Sequence, residues 1–430
     1  MNTHFLVQAK GLRNLARRMW SIARFYGLTP IRMSQELERL AAVLEAHGAR
    51  ATLPMPAVTL ARQPAIAHRL QARGIELAVH GWTHVPLENR PPDEQRAHLQ
   101  RARAIFSASG IQPIGFRSPY LSRDASLHAG IEATGFGYVS NQPILWDVLE
   151  PDAFPPARYA AYKRSIELYQ PWRIGERPSV PRLGNNLVEI PVSLPDDEML
   201  VDRLDASSDI IVKAWQRILT ESYRRGELFT VSLHPERTAK CAAGLSATLA
   251  EARQLTPPVW FARLDEIAAW WRARSQAQVA VTESSREEFR VAASGPDEMT
   301  LLARNVEVDA PASPWADSYR RVAAKTFTVR APVRPFVGLS PTAAPNLVDF
   351  LRQQGYIIEV SEDRQRYAYY FDQTEFPADH ERRLLAQIEE TDRPLVRWGR
   401  WPNSARSALT VTGDVDALTF WDYALRLIGK

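Results

Sequence analysis

The chain has a single cysteine, Cys241, in 430 residues. No disulfide can form within it, and a thiolate zinc cluster is excluded. It has no run of about 18 apolar residues, so nothing in it is expected to span a membrane. Lysine is scarce: six of the 53 basic residues are lysines, and the rest are arginines. The arginines alternate with 49 acidic residues, leaving a formal charge of only +4. No basic run marks a nucleic-acid footprint, and the coding preference of a GC-rich genome accounts for the arginine bias. The opening MNTHFLVQAKGLRNLARRMW lacks the apolar core and small-residue cleavage site of a secretory signal. It reads as an Arg-rich helix with a solvated face, and the protein as cytoplasmic. The composition, 45% hydrophobic and 24% charged, is that of an ordinary folded protein with a well-buried core.

From Pro30 to about Gly135, helical and strand patterns alternate. MSQELERLAAVLEAHG has apolar residues at helical spacing and closes on Gly48, a natural residue for the position after a helix. ARATLPMP reads as a strand, PAIAHRLQARG as a helix and IELAVH as a buried strand. PPDEQRAHLQRARAIFSASG is a third helix, PIGFRSPY a strand, and SRDASLHAGIEATG a helix with Ser122 as its cap. Repeated units of this length imply parallel strands with right-handed crossovers. Sites in such folds lie at the carboxyl ends of the strands. After a Pro- and Tyr-rich excursion (146–181), NNLVEIPVSL and ELFTVSLHP read as strands around the helix SSDIIVKAWQRILTESYRRG. VWFARLDEIAAWWRARSQ closes this region and TESSREE reads as a linker. Phe289 to about Arg400 reads as a second, smaller α/β domain. SALTVTGDVDALTFWDYALRLIGK is a final strand and helix.

Three strand ends carry reactive groups. His80 and His84 lie four apart in AVHGWTHVPL, a spacing that one helical turn would bring to one face. Zinc favours such imidazoles, typically with three protein ligands at a catalytic site. Arg117 sits in GFRSPY and His234 in TVSLHPER. Singly, each has an ordinary reading as a hydrogen-bonded strand-end residue or a structural ion pair. Together, all fall at the same end of predicted parallel strands.

The order HGWTH, FRSPY, SLHP resembles the polysaccharide deacetylases, the NodB-homology family of carbohydrate esterases (carbohydrate esterase family 4). The resemblance covers roughly Gly27 to Arg274. HGWTH is similar to the family's two-histidine zinc motif, in the subgroup with glycine where the commoner pattern has Ser or Thr. The family opens on a strand ending in two acids, yet RFYGLTP at that place has none. Thr412-Gly413-Asp414-Val415-Asp416, after the strand SALTV, resembles the missing motif. Joining the two chain ends would restore the family's order, which implies a circularly permuted domain.

The resemblance implies a distorted (β/α) barrel of NodB type, with residues 20–275 catalytic, 286–404 a small α/β domain of unassigned role, and 405–430 completing the barrel. It implies zinc, or another divalent metal, on Asp416, His80 and His84. Asp414 would be general base, Arg117 its orienting partner and His234 general acid. A backbone N–H near Tyr120 would help to stabilise the oxyanion. Tyr120 and Trp82 would stack on a sugar; their plain alternative is core packing. Asp196 and Asp197 would face the substrate, or cap a helix. The implied reaction is hydrolysis of an N-acyl group, acetyl first, from an amino sugar or polysaccharide. Alternatives are another linear amide or ureide as substrate, or an inactive carbohydrate-binding relative. The expected partner is thus a carbohydrate or small amide, with no nucleic acid; oligomeric state stays open.

Overall fold

A computed structural model describes residues 25–427. The expected Arg-rich amino-terminal helix lies outside the described residues.

The alternating pattern produces a curled half-barrel, mixed α/β in class. Its nine strands are β1 (Ala51–Met55), β2 (Glu76–Val79), β3 (Gly115–Phe116), β4 (Tyr138–Val139), β5 (Arg182–Leu183), β6 (Val188–Glu189), β7 (Leu228–Ser232), β8 (Val259–Phe261) and β9 (Ser407–Thr412). The order across the sheet is β7-β9-β1-β2-β3-β4-β6-β5, with β8 also pairing β9. The pairs from β7 through β6 are parallel; only β5 runs antiparallel, on the edge.

The late strand β9 therefore lies inside the sheet, between β7 and β1. Thr412 is in register with Thr52 of β1 and with Ser232 of β7. All six of its residues are buried, as expected for a parallel strand covered on both faces. Helices α1 (Ile31–Ala46), α2 (Pro92–Ala108), α3 (Ser208–Arg225) and α4 (Thr238–Gln254) surround the sheet. The α3 helix is amphipathic: Ile211, Ala214, Trp215, Ile218 and Leu219 form its buried stripe. Burying each of the larger side chains stabilises the fold by about 1.5–3 kcal/mol. Ser207 caps its start, and Gly226, with φ of +67°, ends it.

Helix α5 (Leu264–Ser275) lies across the beginnings of the strands. Its first residue, Leu264, donates its N–H to Thr52 Oγ1 at 2.9 Å, and Asp265 donates to Glu76 Oε2 at 3.1 Å. That end of the sheet is thereby closed, leaving the carboxyl ends for chemistry.

Two local expectations differ from the structure. The cap of the helix Ala125–Ala133 is Asp124, which accepts from Leu127 N at 2.7 Å; Ser122 instead donates to Pro119 O. TESSREE is not a linker but the end and turn of a hairpin between strands Gln278–Ser285 and Glu288–Ser294. The strand alternates Val279 and Val281 with exposed residues, and its last four residues, Thr282 to Ser285, are all exposed. The region beyond holds two four-stranded sheets and a three-stranded one, with helices α6 (Pro345–Gln354) and α7 (Glu381–Glu389). The chain then returns through β9 and ends its described part in α8 (Phe420–Leu427).

Candidate metal and catalytic site

Strand β2 delivers His80 to the open end of the sheet, where its backbone N–H still donates to Met55 O at 2.9 Å. The residues between His80 and His84 form an irregular bend, not the helical turn expected from their spacing. Gly81, at φ of +80°, makes that bend. A Cβ there would stand 2.8 Å from Thr83 O and 2.9 Å from His98 Nε2, so only glycine fits. His98, on α2, accepts the Trp82 N–H at 2.7 Å. Burial, then the charges of Arg90 and Arg101, push its pKa down to about 4, keeping it neutral and able to accept. The bend brings the two imidazole centroids to 4.9 Å.

Strand β9 delivers the acids. A Cβ on Gly413 would stand 2.2 Å from Leu233 O, so β9 and the end of β7 approach as closely as they do only with glycine there. Val415 N donates to Pro54 O at 2.8 Å, extending the strand geometry beside β1. Asp414 and Asp416, two apart, consequently share a side. Asp416 Oδ1 is 3.1 Å from His84 Nε2 and 3.5 Å from His80 Nε2; Asp414 Oδ2 is 3.8 Å from His80 Nε2. One ligand atom each from His80, His84 and Asp416 lies within 4.8 Å of the others.

Whether these groups suit a cation can be read from His80. Its Nδ1 is 2.9 Å from the Arg117 carbonyl oxygen, to which it donates as N–H. That bond fixes the tautomer, and Nε2 keeps a lone pair directed toward the carboxylates. This Nε2 is buried and has no hydrogen-bond partner. A lone pair facing anions without a donor between them is unfavourable, and a divalent cation removes the conflict. Two imidazoles and a carboxylate also match the donor set of zinc and related metals.

Arg117 is 1% exposed and ties three strands together. It donates to Ser140 O and Oγ beyond β4, and to Thr412 Oγ1 and Asp414 Oδ1 (2.9 Å) on the β9 side. Burial alone would raise the Asp414 carboxyl. The opposing charges, that of Arg117 first, outweigh it and hold Asp414 below its usual range, hence ionised.

His234 follows β7. Its Nδ1 is 2.8 Å from Asp197 Oδ1, and its backbone N–H donates to Asp197 Oδ2 at 2.8 Å. Burial pushes the imidazole down, but Asp197 outweighs it and lifts the pKa well above the usual histidine value.

Asp196 and Asp197 thus differ from the substrate-facing pair expected. Asp197 is fully buried, with both oxygens on His234. Asp196 accepts from Met199 N, and burial, then Asp197, push its pKa up to about 7. The sequence indicated two acids after a strand, but not their link to a histidine 37 residues away. Nor did it single out His98, one of several polar residues on an amphipathic helix.

Trp82, expected against a sugar, carries the Arg101 guanidinium 3.6 Å from its ring centroid and packs edge-on to His98. That face is covered by α2. Tyr120 is 48% exposed and meets His84 edge-on at 4.8 Å.

Residues 29–139 match the family model described as Polysaccharide deacetylase. The match runs from the start of α1 to the last residue of β4 and includes His80, His84, Arg117 and Tyr120. No curated protein matches the chain. Among solved structures, a Mycobacterium smegmatis protein assigned as a polysaccharide deacetylase is similar at 22% identity and a TM-score of 0.46, covering 65% of this chain and 90% of its own. Puue allantoinase is similar at 17% identity and 0.45, covering 60% and 76%. A Pseudomonas aeruginosa PAO1 protein, also assigned as a polysaccharide deacetylase, stands at 18% and 0.45, covering 59% and 76%. Residues 29–139, which carry the paired histidines and Arg117, thus match the polysaccharide deacetylase family, whose members are hydrolases of carbon–nitrogen bonds other than peptide bonds.

Proposed function

We propose that the protein is a metal-dependent hydrolase that removes an N-acyl group, acetyl first, from an amino sugar or polysaccharide. The observation that carries this reading is the convergence of Asp416 on His80 and His84, with Asp414 on Arg117 beside them. His80, His84 and Asp416 hold the metal, zinc or a similar divalent ion. The ion supplies Lewis-acid polarisation of the scissile carbonyl and makes a water more acidic. Asp414, ionised and fixed by Arg117, takes the proton from the attacking water. Water oxygen adds to the carbonyl carbon, a backbone N–H near Tyr120 steadies the oxyanion, and the C–N bond breaks. His234, protonated through Asp197, gives its proton to the leaving amine. The products are the carboxylate and the free amine. Tyr120, exposed beside His84, is the aromatic that meets the sugar.

We further read the catalytic domain as circularly permuted. The acidic motif comes after both histidine motifs in the chain, yet β9 lies between β1 and β7. On this reading residues 20–275 and 405–430 make one domain, and 286–404 form a small α/β domain with no role assigned.

The test is acetate release from N-acetylated sugar oligomers by the purified protein, with metal content measured on the same sample. About one divalent ion per chain and metal-dependent release support the reading. Release from other linear amides or ureides alone moves the substrate class. Metal and sugar binding without turnover of any amide overturns the catalytic reading.

A further inference from the structure

At the closed end of the sheet, far along the strands from His80, one buried guanidinium has no carboxylate partner among the described residues. Arg274, in the last turn of α5, is 7% exposed. Its Nη1 donates to Gln353 O at 2.7 Å, its Nε has no hydrogen-bond partner, and its guanidinium lies 4.3 Å from the Trp271 ring centroid. Among the described residues no carboxylate pairs with it; the charges acting on it are Arg400 and Arg397. Arg400, 8% exposed, donates only to neutral oxygens: Gln354 Oε1 at 3.0 Å, Arg225 O at 2.9 Å and Gly226 O at 3.3 Å. Arg397 has Glu389. Three buried guanidiniums thus surround the end of α6, with one carboxylate in direct contact.

A buried charge without a partner is unfavourable. The carbonyls at the end of α6 offset part of this, since a helix carboxyl terminus carries about half a negative charge. Arg274 and Arg397 both donate to that terminus. The Glu227 and Glu389 charges also act on Arg400, whereas Arg274 has only the helix terminus, which leaves its Nε unused. Burial, then Arg400 and Arg397, push the Arg274 pKa down to about 9.

Beside Arg274 opens a cavity of about 520 Å³, between α5, the loop after β5 and α6. This is the size of a small-ligand pocket. Trp271, Met299, Tyr356 and Trp398 give it apolar and aromatic walls. Arg352 and Asp349, both exposed, stand at its rim. We propose that this cavity binds a small organic anion, its carboxylate or phosphate on Arg274 and its flat apolar body against Trp271 and Trp398. A fork of N–H donors suits either anion. The site is separate from the metal centre and joins the half-barrel to the region beyond residue 278. It does not depend on the catalytic reading.

The experiment is calorimetric titration of the full chain with phenyl phosphate and with benzoate at constant ionic strength, alongside thermal melts. One saturable site per chain is expected, with the tighter of the two probes naming the anion class. Arg274→Met should weaken binding at least tenfold. Without probe it should melt at or above the wild-type temperature, because an unpaired buried charge has gone. Asn185→Trp, on the exposed loop of the cavity wall, should block binding without touching the core, which keeps the test decisive if Arg274→Met misfolds. Absence of saturable binding by both probes, or wild-type affinity in the variants, overturns the proposal.

Discussion

Substituting Asp197 by Asn probes the catalytic reading away from the metal ligands. Asp197 is fully buried and gives one oxygen to His234 Nδ1 and the other to its backbone N–H, each at 2.8 Å. Burial lowers the His234 pKa and Asp197 raises it, with Asp197 prevailing. Histidine is the acid form when charged, so wild-type His234 stays able to donate well above the usual histidine range. Asparagine keeps the volume and one acceptor but removes the charge. Burial, aided by the Arg237 charge, then dominates, and His234 loses its proton at lower pH. A hydrogen bond to a charged group is worth about 1.5–3 kcal/mol. If that stabilisation acts on the proton given to the leaving amine, kcat at neutral pH should fall about 10- to 100-fold. The alkaline limb of the rate profile should move toward acid, with metal content unchanged. The assay is acetate release across the pH range, with metal analysis and a melting curve on each sample. An Asp197→Asn protein with wild-type kcat and an unmoved alkaline limb would refute the role given to His234.

Two further outcomes follow from local geometry. Gly81→Ala forces a Cβ against Thr83 O and His98 Nε2 at positive φ, a strain of about 1–3 kcal/mol; the melting temperature should fall, and metal retained after dialysis should drop with it. Glu76, half-buried at the start of β2, has its carboxyl pushed up to about 8 by desolvation and then by the Asp265 charge. A carboxyl raised in the folded state contributes stability that is fully present below its unfolded value of 4.5 and lost as pH rises through about 8. Wild-type melting temperature should decline across that window, and Glu76→Gln should flatten the decline. Glu189, pushed up to about 7 by burial, should preserve part of it. Identical slopes in the two proteins would remove Glu76 from the account.

Periodicity made the helices legible, because their buried stripes recur with the helical turn, as in α3. Parallel strands such as β9 and β7 were visible as short apolar runs bounded by polar ends. Registers were not visible: nothing local in SALTV says that it pairs with β1 and β7. The polar run TESSREE misled because the exposed end and turn of a hairpin have the composition of a linker. At the site, residue types at strand ends pointed to His80, His84, Arg117 and His234. The conformation between the two histidines was not legible, since a spacing of four fits a helical turn and an irregular bend alike. Arg117's four contacts, the Asp197–His234 pair and His98 beneath Gly81 join segments far apart in sequence. Such contacts are set by packing, which a single sequence does not encode locally. Trp82 illustrates the opposite error: an aromatic beside the histidines suggested a sugar platform, but a neighbouring helix presents Arg101 to its face.

On the proposed function, the acids of β9 and the histidines of β2 serve one metal centre in two different roles. Metal content and acetate release, measured together on Asp416→Ala and Asp414→Asn, test it most directly. Asp416→Ala should lose metal and activity together. Asp414→Asn should keep its metal and lose at least about 100-fold in rate, the scale of a missing general base. Wild-type metal content and turnover in both variants would contradict the account.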